Sequence, residues 1–243
     1  MRVRLDTLLV SRGLTESREK AKRLILAGAV RVKSQLAHKP SDLVEEDAAL
    51  AVEAAEKYVS RGGYKLEAAL DAFHIACAGL ICADLGASTG GFTDCLLQHG
   101  AARVHAVDVG KGQLDWKLRQ DSRVVVHDEL NARHLTAAEI GEPIDLVTID
   151  VSFISLTKVL PAAVSVLKTA GTLVALIKPQ FEAGKKFVKK GGVVRDSQVH
   201  ESVKQHIQEF ATVTLGLVLL GIVESPLLGP AGNKEFLIVL RKP

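Results

Sequence analysis

An apolar run from Leu80 ends in an acid, Asp84, and gives way to a turn carrying Gly86, Gly90 and Gly91 before the helical pattern Phe92 to His99 begins. This strand–turn–helix order constrains the fold strongly, because a buried strand feeding a helix through a glycine turn opens a parallel α/β unit. The glycines let the backbone pass close to a ligand. A dinucleotide site would present G-x-G-x-x-G, with the diphosphate resting on the helix N-terminus. Here the order is D-x-G-x-x-x-G-G, and Asp84 stands where a diphosphate would be repelled. The pattern suits a ligand with a cationic amino-acid end.

The alternation continues downstream. Strands are predicted at Leu80–Asp84, Arg103–Asp108, Val124–His127, Ile144–Asp150, Thr172–Lys178, Leu215–Glu224 and Glu235–Leu240, with helices in most gaps. That is a mostly parallel, doubly wound sheet. The segment Pro226 to Lys234 is too short for a helical crossover, so the last two strands should pair antiparallel. A seven-stranded, Rossmann-like sheet with its last strand antiparallel is the architecture of S-adenosylmethionine-dependent methyltransferases.

The chain's 243 residues leave room for one such domain and a small module. The longest apolar stretch, Val213 to Val223, is about half the ~20 residues of a spanning helix, so no membrane insertion is expected. No charged-then-apolar signal opens the chain. Three cysteines without a C-x-x-C spacing argue for reduced thiols and a cytoplasmic protein. The eight histidines form no metal-ligand pattern, and no metal is expected.

Charge is unevenly placed. Residues 1–39 carry ten Lys and Arg against three acids, whereas residues 40–60 carry one Lys against six acids. Concentrated positive charge points to a phosphate backbone as well as to a merely solvated helix face. The predicted elements are a helix from Leu5 to Val10, a second helix capped by Thr15 and stopped by Gly28, and strands at Ala29–Lys33 and Leu50–Val52. With Arg4-Leu5-Asp6, Arg12-Gly13-Leu14, Ser17-Arg18, Ala27-Gly28, Val30-Arg31-Val32 and Lys39-Pro40, the segment resembles the small RNA-binding domain named after ribosomal protein S four. That resemblance implies RNA-binding roles for Arg4, Arg18, Lys22, Arg23 and Lys33. The family's Asn-Gly after the strand is Ser34-Gln35 here. The expected division is an RNA-binding domain over 1–54, a linker over 55–62 and the larger domain over 63–243.

In a doubly wound sheet the ligand sits beyond the C-terminal strand ends. Asp84 ends the first strand of the larger domain. Asp108 ends the second, placed to take both ribose hydroxyls of a nucleoside. Asp128 and Asn131 follow the third, where a polar side chain can read an adenine edge. Each acid alone reads better as a helix cap or loop charge. Acids after three successive strands beside one glycine turn favour a nucleoside pocket holding S-adenosylmethionine, with Gly86, Ser88, Gly90, Gly91 and Phe92 completing it.

Four further residues fall at strand ends or helix starts: Lys65 after Ser60-Arg61-Gly62-Gly63-Tyr64, Asp150 before Val151-Ser152-Phe153, Lys178 before Pro179-Gln180-Phe181, and Glu235 after Asn233-Lys234. A lysine ending a strand beside the core is costly unless it is paired or snorkels outward. These segments together resemble the FtsJ-type 2′-O-ribose methyltransferases, and with the basic module the whole chain resembles the TlyA group, often labelled hemolysins. The resemblance implies methylation of ribosomal RNA or ribosomal subunits and a Lys-Asp-Lys-Glu tetrad at Lys65, Asp150, Lys178 and Glu235. Ser88-Thr89 stands where FtsJ proteins carry Ala-Pro.

The chemistry suits those residue types. A ribose hydroxyl must lose its proton as it attacks a sulfonium methyl, and Lys178 is the candidate base, or else a steering cation oriented by Asp150. Lys185, Lys186, Lys189 and Lys190 lie in a glycine-flanked loop after Lys178, as RNA-phosphate ligands or as a solvated loop. Rival readings fare less well. An N-methyltransferase of the D/N-P-P-Y type needs prolines after Asp150, and a cytosine-carbon enzyme needs Pro-Cys; neither is present. A pore-forming hemolysin and a catalytically silent RNA-binding protein remain as alternatives.

Overall fold

The computed structural model describes all residues except 1, 27, 53–55, 185, 186, 189 and 190. The chain divides into two compact units, 1–57 and 58–243.

In the smaller unit, α1 (Leu5–Ser11) buries Leu5, Leu8 and Leu9, and α2 (Arg18–Leu26) buries Ala21 and Ile25, one turn apart. Their apolar faces meet Val30 and Ala37 in a small core. Ser17, rather than Thr15, caps α2, its hydroxyl accepting from the Lys20 N–H. Five short strands complete the unit: β1 (Arg2–Arg4), β2 (Val30–Val32), β3 (Gln35–Leu36), β4 (Leu43–Glu45) and β5 (Leu50–Val52). β1 pairs with β4, and β2 lies between β3 and β5. Lys33 and Ser34 turn the β2–β3 hairpin with φ of +49° and +67°, the mirror-image turn that Asn-Gly otherwise serves.

The larger unit runs α3 (Gly62–Ala72), β6 (Ile81–Leu85), α4 (Gly91–Gln98), β7 (Arg103–Val107), α5 (Trp116–Gln120), β8 (Val124–His127), α6 (Ala137–Ile140), β9 (Ile144–Ile149), α7 (Leu160–Val166), β10 (Leu167–Ile177), α8 (Pro179–Glu182), α9 (Ser197–Glu209), β11 (Val218–Glu224) and β12 (Phe236–Arg241). Its sheet has the order β11-β12-β10-β9-β6-β7-β8, with β12 antiparallel to both neighbours and the β6–β10 strands parallel. The central strands are apolar on both faces, and a core cluster packs against each face. Strand order reverses between β6 and β9, which puts the ligand crevice beyond their C-terminal ends.

Three boundaries differ from the sequence expectation. Residues 58–62 pack within the larger unit, because Tyr58 is buried against Gly63 and the Val59 N–H donates to Asp94. β10 begins at Leu167, with its register broken before Thr172 near the positive-φ Ala170. β11 begins only at Val218, because Phe210–Thr214 prolongs α9 as a wider, π-type turn that delays the chain's entry into the sheet.

Candidate active site

The glycine turn is held by main-chain contacts. Gly86 sits at φ +86°, and a Cβ there would lie 2.6 Å from the Asp150 carbonyl oxygen. Leu85 in turn accepts from the Asp150 N–H at 2.9 Å, so the turn and the end of β9 are pressed together. Gly90 has φ +97°, with Leu114 and Leu118 where a side chain would go. Gly91 faces the Gly63 nitrogen and the Ser60 hydroxyl, which brings the starts of α3 and α4 into contact.

Asp84 lies beneath this turn rather than on its surface. It is fully buried and accepts from the Thr93 hydroxyl at 2.7 Å and the Thr148 hydroxyl at 3.2 Å. Burial pushes its carboxyl up to about 7, against the opposing Thr93 hydrogen bond. It ties α4 to β9, so the expectation that it meets a cationic ligand end gives way to a positioning role. Phe92 is corrected likewise: it is 3% exposed, packed in the core around Leu66 and Leu96.

Asp108, at the end of β7, accepts from the Ser88 N–H at 2.8 Å and the Gly110 N–H at 2.7 Å. One donor on each oxygen leaves each a further acceptor site. Ser88 holds φ +48° to make this contact. Asp128 is gripped by Arg119 at 2.7 Å, which keeps its carboxyl below the ordinary range, and it also takes the Gly112 N–H. Asn131 accepts from the Arg133 N–H and caps a short 3₁₀ turn. Asn131 thus serves as a local cap, and Asp128 as a paired loop charge.

Lys65, Asp150, Lys178 and Glu235 form two ion pairs at the same edge of the sheet. Lys65 Nζ meets Glu235 Oε2 at 2.5 Å, with the two side chains 9% and 0% exposed. Lys178 Nζ lies 2.6 Å from Asp150 Oδ1 and donates to the Ser152 hydroxyl at 2.9 Å. Ile177 stands opposite Phe236 across β10 and β12, so Lys178 and Glu235 follow at neighbouring strand ends.

Sequence reasoning missed the residues that lace this edge together. Glu182 accepts from the Ser155 hydroxyl at 2.6 Å and the Leu156 N–H at 2.8 Å, pinning the 150–156 loop to α8. Burial raises the Glu182 carboxyl's pKa. Phe153 stands on that loop at φ +64° and 90% exposed, its ring 5.1 Å from that of Phe181. The signal available was that Ser152 and Phe153 follow Asp150, and Phe181 and Glu182 follow Lys178, within a few residues.

In the smaller unit a buried acid organises the basic candidates. Arg4 binds Asp6 through Nε and Nη2, and Arg18 adds a third contact at 3.1 Å. The Arg4 hydrogen bonds, then that of Arg18, hold the Asp6 carboxyl far below the usual carboxylate range despite burial. The two guanidinium side chains stay 43% and 53% exposed. Lys22 pairs with Glu19 and Lys33 with Glu45 at the surface, while Arg23 is exposed on α2. Lys185, Lys186, Lys189 and Lys190 lie outside the described residues. No helix among the described residues is long and apolar enough to cross a membrane.

Comparison with known proteins follows the same division. Residues 3–50 match the S4 domain and residues 58–242 the FtsJ-like methyltransferase. The Mycobacterium tuberculosis 16S/23S rRNA (cytidine-2′-O)-methyltransferase TlyA is 50% identical, the match covering 99% of this chain and 90% of that protein. Hemolysin A of Brachyspira hyodysenteriae is 42% identical over 97% of this chain and 98% of its own. A solved Streptococcus thermophilus structure under a provisional hemolysin name superposes with a TM-score of 0.76 at 44% identity, over 99% of this chain and 88% of that one. A methyltransferase fold whose strand ends carry these two ion pairs, preceded by an S4 domain, places the chain in the FtsJ-like methyltransferase family, among the relatives that bear the TlyA and hemolysin A names.

Proposed function

We propose that the chain transfers a methyl group from S-adenosylmethionine to a ribose 2′-hydroxyl of ribosomal RNA. The observation that carries this reading is the pairing of Lys178 with Asp150 and Ser152 at the strand end abutting the glycine turn. The relatives' naming as rRNA cytidine-2′-O-methyltransferases supports the substrate class.

The residues present fit the cofactor. Asp108 has an acceptor site left on each oxygen for two ribose hydroxyls, and the turn from Gly86 to Gly90 offers close-approach backbone. When bound, the cofactor supplies the activated methyl on a sulfonium. The chain supplies position and a proton path. Asp150 pairs with the Lys178 ammonium and Ser152 accepts a hydrogen bond from it, which leaves N–H donors to orient the 2′-oxygen. Lys178 is also the candidate base for the 2′-hydroxyl proton as the oxygen attacks the methyl carbon, with steering of that oxygen as its alternative role. Lys65 and Glu235, paired and buried, hold the start of β12 beside Lys178. Exposed Phe153 offers a face on which a nucleobase can stack. In the S4 domain, Arg4 and Arg18, fixed by Asp6, and Lys22, Arg23 and Lys33 present cations to RNA phosphates, with Lys185, Lys186, Lys189 and Lys190 as further candidates.

The test is transfer of labelled methyl from S-adenosylmethionine to unmodified rRNA and to separated ribosomal subunits. Label on a ribose 2′-oxygen, reduced about 10²–10⁴-fold in Lys178→Ala, is expected. Measurable cofactor binding without transfer to any of these RNAs would overturn the reading.

A further inference from the structure

Beyond the tetrad, the edge of the sheet holds a cleft of about 510 Å³ lined by Phe153, Ile154, Gln180, Phe181 and Val188. That volume lies within the ~300–1,000 Å³ of small-molecule sites. Gln180 is two residues from Lys178, and Phe153 three residues from Asp150, so the cleft adjoins the proposed reaction centre. Lys178 Nζ itself lies 5.9 Å from the centre of the Phe181 ring.

One atom of this lining is out of place chemically. Gln180 Oε1 is buried and has no hydrogen-bond partner. A carbonyl oxygen withdrawn from water without a donor is costly, and such groups call for a partner that arrives later. Glu182, on the same short helix, already accepts from the Ser155 hydroxyl and the Leu156 N–H, whereas Gln180 Oε1 accepts from nothing. Asp150 Oδ1 and Glu235 Oε1 are also buried without a hydrogen bond, but both carboxylates belong to ion pairs and neither lines the cleft, so among the described lining residues the orphan acceptor is that of Gln180.

Building on the methyl-transfer reading, we propose that Gln180 is a specificity-determining residue. Its Oε1 accepts a hydrogen bond from the exocyclic amine of the target pyrimidine, held in the cleft beside Phe153. Cytosine presents an amino group at the position where uracil presents a carbonyl. Once the side chain turns its carboxamide oxygen towards the cleft, cytosine supplies the missing donor and uracil opposes oxygen to oxygen. Discrimination of this kind exceeds what an apolar wall achieves, because the wrong base leaves a buried polar group unpaired.

The test uses the full chain and an rRNA whose methylated cytidine has been mapped, alongside the same RNA carrying uridine there. Transfer from labelled S-adenosylmethionine is measured for wild type and for Gln180→Met, which keeps the side chain's length and removes its acceptor. Wild type should favour cytidine by about tenfold or more in kcat/KM. In the variant the cytidine-to-uridine ratio should collapse towards one, with unchanged S-adenosylmethionine affinity. A general loss of packing would lower both RNAs alike and leave the ratio standing, which would overturn the proposal. A wild-type ratio near one, or a preference for uridine, would also overturn it. Absence of transfer to every RNA by wild type would instead sink the methyl-transfer reading beneath it.

Discussion

The two halves of the candidate site are built by different means. On the side proposed for the cofactor the main chain does the shaping: Gly86 and Gly90 at positive φ, Ser88 strained to reach Asp108, and the Asp150 carbonyl pressed against the turn. On the side proposed for the substrate the side chains do it: Lys178 to Asp150 and Ser152, Glu182 to Ser155 and Leu156, Phe153 against Phe181. A main-chain site tolerates almost no added atom, whereas a side-chain lacing loosens by degrees as its members are removed.

That contrast sets the order in which variants should reduce transfer. Gly86→Ala should be the most damaging. It demands a positive φ from an L side chain and drives a methyl into the Asp150 carbonyl, at a cost of at least about 1–3 kcal/mol for the strain alone. Cofactor binding, read by equilibrium dialysis, should be lost; retention of near-normal affinity would break the comparison. Glu182→Ala should act on the other half only. Transfer should fall about tenfold and stability by roughly 1–2 kcal/mol, as the 150–156 loop loses two hydrogen bonds, while cofactor affinity holds. Equal losses of affinity and rate would show that the halves are not separable.

Asp84→Asn should affect transfer least and report instead on pH. The carboxyl lies near 7 in the fold, against ~3.9 for an unfolded aspartate. Between those values the native state holds a proton that the unfolded state has lost, so this group's contribution to stability falls as pH rises. Thermal unfolding from pH 5 to 8 should therefore slope downward in the wild type and flatten in Asp84→Asn. Identical slopes would place the raised group elsewhere.

The same contrast explains what the sequence disclosed. The glycine turn, the strand order and the chain positions of Lys65, Asp150, Lys178 and Glu235 are matters of local pattern, and pattern survives in one dimension. The lacing is not local. Glu182 reaches a main-chain N–H 26 residues upstream, and Asp84 is engaged by a threonine 64 residues downstream. No periodicity announces either contact, so Asp84 read as a ligand group and Glu182 was passed over. Phe92 was misjudged for a related reason: its place in the motif says where the chain turns, not which face the ring takes. In the S4 domain the Arg4-Leu5-Asp6 segment marks the resemblance, but nothing local says that Asp6 orients both Arg4 and Arg18.

The Lys65–Glu235 pair spans 170 residues and joins α3 to the start of β12, the strand that inserts between β10 and β11. On a growing chain α3 emerges early and β12 is the last strand of the sheet to be made. Until it arrives, Lys65 has no carboxylate, the Lys178 edge has no neighbour, and β10 and β11 lie on either side of an empty slot. A chain still being synthesised thus lacks the finished site. The candidate site is therefore complete only when the last strand of the sheet is in place.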